Sequence, residues 1–430
     1  MPLLRREPGG PRPPPPGILS ILGPGLITGA ADDDPSGIAT YSQAGAQFGF
    51  SMTWVILVTW PLMGAIQEIS ARIGRVTGKG IAANIREHYP VSLLRAIVAL
   101  LLVANVINLG ADLGAMGDAL RLLIGGSSRV YVVAFAVLCA ALEIFSSYQR
   151  YVSILKWLTL SLFAYVATVL VIAVPWGEVL YRTLVPSIVW QKDYVVVIVA
   201  VLGTTISPYL FFWQASEEAE DERVHPAEHP LAEAPEEAPA QIERIEIDTY
   251  LGMGLSNFVS FCIIVTTAAT LHLHGVTNIQ TSEEAALALR PIAGELAFAV
   301  FACGIVGTGL LAIPVLAGSA AYALAEAMQW TYGLGRRPRE AKAFYGTIVV
   351  GTLIGVAINF IHIDPIKALF WTAVINGVVA VPLMVVMMIM TMQPRVMGQF
   401  TLPRRLWVMG WLSTAAMAFA VAVMFATWSG

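Results

Sequence analysis

The feature that most constrains this chain is a rhythm of long apolar runs. Windows of about 20 mostly apolar residues, enough to cross a bilayer as helix, recur about eleven times with short polar joins. They fall near 18–48, 52–72, 94–116, 130–148, 154–175, 194–216, 250–271, 293–325, 344–362, 367–391 and 406–428. A β-barrel would need segments of about ten residues alternating apolar and polar, whereas these runs are continuous. The expected fold class is therefore an all-α integral membrane protein of 11 transmembrane helices. Composition agrees: 13% of the 430 residues are charged, about half the roughly 25% of soluble domains.

In such a chain the placement of Lys and Arg carries more than the net charge of −4. With the N-terminus inside, 19 of the 25 cationic residues fall on the inner side and six (Arg121, Arg129, Arg182, Lys192, Arg290, Lys367) on the outer. The positive-inside rule then places the N-terminus in the cytoplasm and, for an odd number of spans, Gly430 outside, in a multi-pass protein of the cell membrane. The Pro- and Arg-rich residues 1–17 read as a disordered cytoplasmic tail. Cys139, Cys262 and Cys303 sit singly in apolar spans, as small packing residues. The long polar insertion, 217–248, is rich in Glu, Ala and Pro; that composition buries little and predicts a mobile cytoplasmic loop. Its acidic residues with His225 and His229 could alternatively collect metal, but a solvated linker is the reading taken here.

Two spans are broken internally, and they lie five apart. The first, GPGLITGAADDDPSGIATYSQAGAQFG, puts three carboxylates, a proline and several glycines at hydrocarbon depth; the sixth, VLGTTISPYLFFWQ, centres on Gly203, Thr204, Thr205, Ser207 and Pro208. Matched breaks in two five-span halves are the mark of an inverted-repeat transporter with its site at mid-membrane. The domain reading follows: 18–175 as the first five-helix repeat, 176–193 as an extracellular connection, 194–391 as the second repeat, and 392–430 as a linker and eleventh helix.

A charge at the bilayer centre costs at least about 2.5–3.5 kcal/mol, so Asp32, Asp33 and Asp34 call for a use. Pro35 and Pro208 each remove a backbone donor and free carbonyls beside the break. Freed carbonyls next to a carboxylate form an oxygen-lined cage suited to a hard cation. Asp34 is the expected anchor; Asp32 and Asp33 read either as part of the ion path or as a water-exposed kink. Asp112 in the third span is either a partner to the site or a helix-packing carboxylate. Asn376 in the tenth reaches the ion or bonds between helices. Gln67 and Glu68 are assigned to helix packing, and Glu143 and Glu295 to interfacial positions.

These residues resemble the natural resistance-associated macrophage protein (NRAMP) family of divalent metal transporters. GPGLITGAADDDPSGIATYSQAGAQFGF looks like that family's first span, ISARIGRVTGKGIA its second, GADLGAMGDAL its third and VVAVPLMVVMMIMTMQPRVMGQF its tenth. The resemblance implies a leucine-transporter-like fold, two inverted five-helix repeats plus one extra helix. It also locates departures. The family's Asp-Pro-Gly-Asn is Asp34-Pro35-Ser36-Gly37 here, which keeps the carboxylate and loses the amide ligand. Its Met-Pro-His is Ser207-Pro208-Tyr209, losing the thioether on the metal and the histidine tied to proton movement. Its Ala-Thr-Asp-Leu-Ala-Glu is Gly110 to Ala115, keeping Asp112 and losing the glutamate of the proton route.

A thioether favours late transition metals, whereas hydroxyls, carbonyls and water favour magnesium, manganese or calcium. The smaller side chains also leave room for a cation that keeps its waters, as magnesium does. These departures look like the NRAMP-related magnesium transporter branch. The expected function is alternating-access transport of hard divalent cations, magnesium first and manganese second, with weak or no proton coupling. The ion would be held by Asp34, carbonyls around Gly37 and Thr204 to Ser207, and the Ser207 hydroxyl; Tyr209 reads first as an aromatic packing residue, with filling the space of the lost histidine or bonding to water around the ion as the alternatives. Rivals are a proton-coupled manganese and iron symporter, an amino-acid or other organic-solute carrier of the same fold, and a non-transporting metal sensor. No nucleotide-binding loop, nucleophile motif or zinc spacing supports an enzyme or a pump, no resident cofactor is implied, and no basic patch supports nucleic-acid binding. The expected partners are the divalent ion and the bilayer.

Overall fold

The computed structural model describes residues 24–145, 163–225, 228–279, 281–290, 294, 297–361 and 364–428. The expected tail 1–17, the start of the first span, residues 154–162 of the fifth and Glu295 lie outside them. The described helices are α1 (Pro24–Asp32), α2 (Pro35–Phe48), α3 (Thr53–Thr77), α4 (Ile81–His88), α5 (Val91–Ile124), α6 (Ser128–Phe145), α7 (Phe163–Val171), α8 (Trp176–Leu184), α9 (Lys192–Thr205), α10 (Pro208–Val224), α11 (Ala238–Thr270), α12 (Ser282–Leu287), α13 (Ala297–Met328), α14 (Lys342–Ile358), α15 (Pro365–Thr391), α16 (Pro394–Met397) and α17 (Arg404–Trp428). Among the described residues, eight helical stretches are long and apolar enough to cross a membrane, and α14 is a shorter apolar helix. Of the eleven expected windows, much of the fifth lies outside the described residues.

The two broken spans form the centre. Asp34 ends the first half: its backbone is extended (φ −67°, ψ 171°), Pro35 opens α2, and the Asp34 side chain accepts the Gly37 amide as a helix N-cap. In the sixth span α9 stops at Thr205, Ser207 is extended (φ −83°, ψ 133°), and Pro208 opens α10. Around them, α1 and α2 pack along α11, α9 along α15, α10 along α3 and α13, and α5 along α13 and α15. The outer helices turn apolar side chains outward: Val137 on α6, Leu353 on α14 and Phe419 on α17 are each about 60% exposed. Lipid, unlike water, accepts that surface at little cost.

Two of the close glycine meetings join the broken spans to their neighbours. A Cβ on Gly29 would lie 2.3 Å from the Gly252 carbonyl carbon, joining α1 to α11; one on Gly203 would lie 2.1 Å from the Ala373 carbonyl oxygen and 2.5 Å from the Gly377 amide, joining α9 to α15. Gly203→Val is expected to lower stability by about 1–3 kcal/mol, because backbone cannot yield to a side chain as another side chain would. A thermal melt of the purified protein checks this, and an unchanged midpoint would remove the contact from the account.

The stretch 217–248 overturns the expectation of a mobile, little-buried loop. Glu217 to Val224 continue α10, and 238–248 are the opening turns of α11. Glu217, Glu218, Glu222 and Asp248 are buried. Glu217, Glu218 and Asp248 find partners that composition does not show. Arg75, wholly buried at the end of α3, pairs with Glu228 and lies 3.7 Å from Asp221, while Arg244 pairs with Glu218. Tyr322 of α13 bonds Glu217 and Glu220, and Glu220 also accepts the Leu334 amide (3.2 Å) and the Gly335 amide (2.5 Å). Asp248 caps α1 by accepting the Gly25 and Leu26 amides at 2.7 and 3.1 Å. Glu326 accepts the Ser216 hydroxyl (2.9 Å) and the Ala83 amide (3.1 Å). Asp221, His225 and Glu228 do converge within 4.8 Å, but two of the three face Arg75. This end of the bundle is therefore closed by ion pairs and capped amides.

Candidate functional site

The two breaks meet. A Cβ on Gly37 would stand 3.4 Å from the Thr204 hydroxyl and 3.2 Å from the Asp32 carbonyl oxygen, so the start of α2 faces the end of α9. Asp34, 1% exposed, lies at that junction. Its Oδ1 accepts the Ser36 hydroxyl and the Gly37 amide, both at 2.7 Å, and its Oδ2 accepts the Asn108 amide at 3.0 Å. The Tyr209 hydroxyl donates to the Ala31 carbonyl at 2.9 Å and lies 3.4 Å from Asp34 Oδ2. Two helix N-termini, those of α2 and α10, and two helix C-termini, those of α1 and α9, thus converge on one carboxylate.

The expected residues are not equally engaged. Thr204 keeps its hydroxyl buried and unpartnered beside Gly37. The Ser207 hydroxyl turns back onto its own chain, 2.8 Å from both the Gly203 and the Thr204 carbonyls. Asp112 is wholly buried, and neither of its oxygens completes a hydrogen bond, although its carboxyl group faces the Ser36 amide and the Asp34 carboxylate. Asn376 is buried with its amide nitrogen unpartnered, next to the Gly377 that touches Gly203 and the Val199 carbonyl. Asp32 and Asp33 turn away from Asp34, toward hydroxyls of α11. Glu143, expected at an interface, is buried on α6 with both oxygens unpartnered. Glu68 pairs with Arg72 along α3, while Gln67 is buried with neither amide atom bonded.

Asn108 was not among the expected site residues. The signal was present: Asn105, Asn108 and Asp112 follow each other at i+3 and i+4 on an otherwise apolar helix, which puts all three on one face. Asn105 bonds the Leu316 carbonyl and the Ser319 hydroxyl of α13, at 3.0 and 2.6 Å, so the stripe runs from packing into the site. The Asn108 amide oxygen is itself buried and unpartnered.

On the side opposite the ion-paired end lies a cavity of about 510 Å³, lined by Ala39, Gln43, Lys192, Asp193, Asn278 and Lys367 among others. It reaches Ala39, five residues along α2 from Asp34. Asp34 itself is not part of the cavity lining.

The sequence profile described as Natural resistance-associated macrophage protein-like matches residues 25–427, nearly the whole chain. The chain belongs to the Nramp family. Its members are transporters rather than enzymes. The chain is 30% identical over 303 residues to the divalent metal cation transporter MntH of Yersinia enterocolitica, covering 68% of this chain and 69% of that one. Among solved structures, the manganese transporter of Eremococcus coleocola superposes with a TM-score of 0.73 over 97% of this chain and 90% of that one, at 18% identity. The nucleobase-cation-symport-1 family transporter Mhp1 superposes with a TM-score of 0.56 over 94% of this chain and 92% of that one, at 15% identity. The fold of this Nramp chain is accordingly the leucine-transporter-like one that the resemblance implied.

Proposed function

We propose that this chain carries divalent metal cations across a membrane by alternating access, with hard ions, magnesium before manganese, as its preferred cargo and little or no proton coupling. Family membership and the named activities of its relatives support the divalent cation. The observation that carries the finer reading is the donor set around Asp34. Among the described residues, the side chains and amides that bond or adjoin this carboxylate, from Ser36, Gly37, Asn108, Asp112, Thr204 and Tyr209, bring hydroxyl, amide and carboxyl groups and no sulfur or imidazole. Oxygen donors do not discriminate against magnesium, and a site with one or two carboxylates and several neutral groups suits an ion that keeps part of its water shell.

In this reading the ion enters by the cavity at Gln43 and Lys367, is held by Asp34, and leaves after the ion-paired end of α3, α10 and α11 opens. The Asn108 amide turns its unpartnered oxygen toward the ion, replacing the amide lost at position 37. The Thr204 hydroxyl and the carbonyls near Gly37 complete the shell. Two five-helix repeats, 18–175 and 194–391, would supply the moving parts, with the N-terminus in the cytoplasm.

The test is uptake into proteoliposomes of purified protein, with magnesium and manganese in competition and a pH dye inside. Magnesium uptake without acidification supports the proposal. Manganese uptake that magnesium does not compete with, accompanied by acidification, would replace it with proton-coupled symport. Asn108→Ala is expected to weaken magnesium uptake about tenfold in apparent affinity, as the loss of a group that both orients the carboxylate and faces the ion does. Unchanged uptake kinetics would remove Asn108 from the site.

A further inference from the structure

The Asp34 site leaves two carboxylates unexplained. Asp32 and Asp33 are 0% and 3% exposed, directed at α11 rather than at α5 and α10. The Ser256 hydroxyl donates to Asp32 Oδ2 at 2.6 Å, and the Ser260 hydroxyl lies 3.3 Å from Asp33 Oδ1. Ser256 and Ser260 stand four residues apart on α11, one above the other on the same face. Asp32 Oδ1 receives no hydrogen bond, and neither does the hydroxyl of Tyr41, which is 0% exposed and lies close to both carboxylates and to Ser260.

The one cation on these helices, Arg244 in the opening turns of α11, is taken up by Glu218 and does not balance them. The sequence has no Lys or Arg between Arg12 and Arg72, and none from 245 to 270 on α11. A pair of adjacent carboxylates buried without a countercharge is costly, and two serine hydroxyls do not offset it. The unpartnered Asp32 Oδ1 and Tyr41 hydroxyl are the direct mark of a missing partner at this spot.

We infer that Asp32, Asp33, Tyr41, Ser256 and Ser260 form a second cation site, between α1, α2 and α11, separate from Asp34 and built for a small hard cation. All five side chains present oxygen: two carboxylates and three hydroxyls. That set suits sodium or a second divalent ion such as magnesium, and has nothing for a soft metal. Because Asp32 ends α1 and Asp33 follows it directly into Asp34, an ion here would tie the position of α1 against α11 to the state of the Asp34 site.

The test uses purified full-length protein in detergent, carrying Asp34→Asn so that the first site is disabled. Thermal unfolding is followed against increasing magnesium chloride or sodium chloride, with choline chloride holding ionic strength constant. A ligand that binds only the folded state raises the unfolding midpoint from the concentration at which it begins to occupy its site, and the midpoint then climbs with the logarithm of ligand concentration. The expected result is a logarithmic rise of this kind with at least one of the two cations, beyond what choline chloride gives at the same ionic strength, and the identity of that cation separates a co-bound sodium from a second divalent ion. Adding Ser256→Ala and Ser260→Ala, or Tyr41→Phe alone where the double change impairs folding, should weaken the apparent affinity about tenfold. The site is ruled out if neither cation raises the midpoint of the Asp34→Asn protein, or if the hydroxyl variants titrate as their parent does. Failure of the Asp34 reading would show elsewhere, as transport that survives Asp34→Asn.

Discussion

Asp34→Asn is expected to abolish divalent-cation uptake, by about a hundredfold or more, while leaving the fold intact. The substitution separates two jobs that one side chain performs. Asp34 Oδ1 caps α2 by accepting the Ser36 hydroxyl and the Gly37 amide, and an asparagine oxygen can accept both bonds. The negative charge is the other job. An ion leaving water for the middle of a bilayer needs a charge fixed there in advance, and at a buried site the attraction is far stronger than across water. Losing that charge should therefore exceed the tenfold to hundredfold range typical of outer supporting groups. Asp34→Ala removes the cap as well and should cost about 1 kcal/mol more in stability. Uptake and thermal unfolding measured on both variants separate the two contributions. Near-normal magnesium uptake in Asp34→Asn would mean that the carboxylate is a cap alone, and the proposed transport site would be wrong.

The breaks in the first and sixth spans were legible because their causes are local. Pro35 and Pro208 forbid a continuous hydrogen-bond ladder wherever the chain goes, and carboxylates at hydrocarbon depth stand out against apolar neighbours. What was not legible depends on pairings across the fold. Asn108 is 74 residues from Asp34, and only its spacing from Asp112 hints at a shared face. The acidic stretch after α10 has the composition of a solvated linker. It folds because Arg75, Arg244, Tyr322 and the free amides at Gly25, Leu334 and Gly335 happen to meet it. The run of three aspartates reads as one feature in sequence, yet successive residues at a helix end point in different directions. Asp34 accordingly faces α5 while Asp32 and Asp33 face α11.

The preference among metals should move with a single side chain, and Ser207→Met is the change with the largest expected effect on it. Ser207 precedes Pro208 at the start of α10, and its hydroxyl makes no cap to the α10 amides, so the helix does not depend on it. Instead the hydroxyl lies 2.8 Å from the Gly203 and Thr204 carbonyls, holding those oxygens at the end of α9. Methionine there would release both carbonyls and bring a thioether beside the break. Sulfur binds cadmium and late transition metals well and magnesium poorly, so the variant's selectivity should turn toward softer ions. Cadmium is expected to inhibit manganese uptake by Ser207→Met at a concentration about tenfold lower than for the parent protein, while magnesium competes less well. The site must also have space: Ser207 is 2% exposed, and a longer side chain fits only where water around the ion can be displaced. If the space is instead filled by protein, the variant is overpacked and loses about 1–3 kcal/mol of stability without a change of selectivity. A measured cadmium competition curve identical to the parent's, in a protein that unfolds earlier, would place the ion away from Ser207 and leave Asp34, Asn108 and Thr204 as its holders.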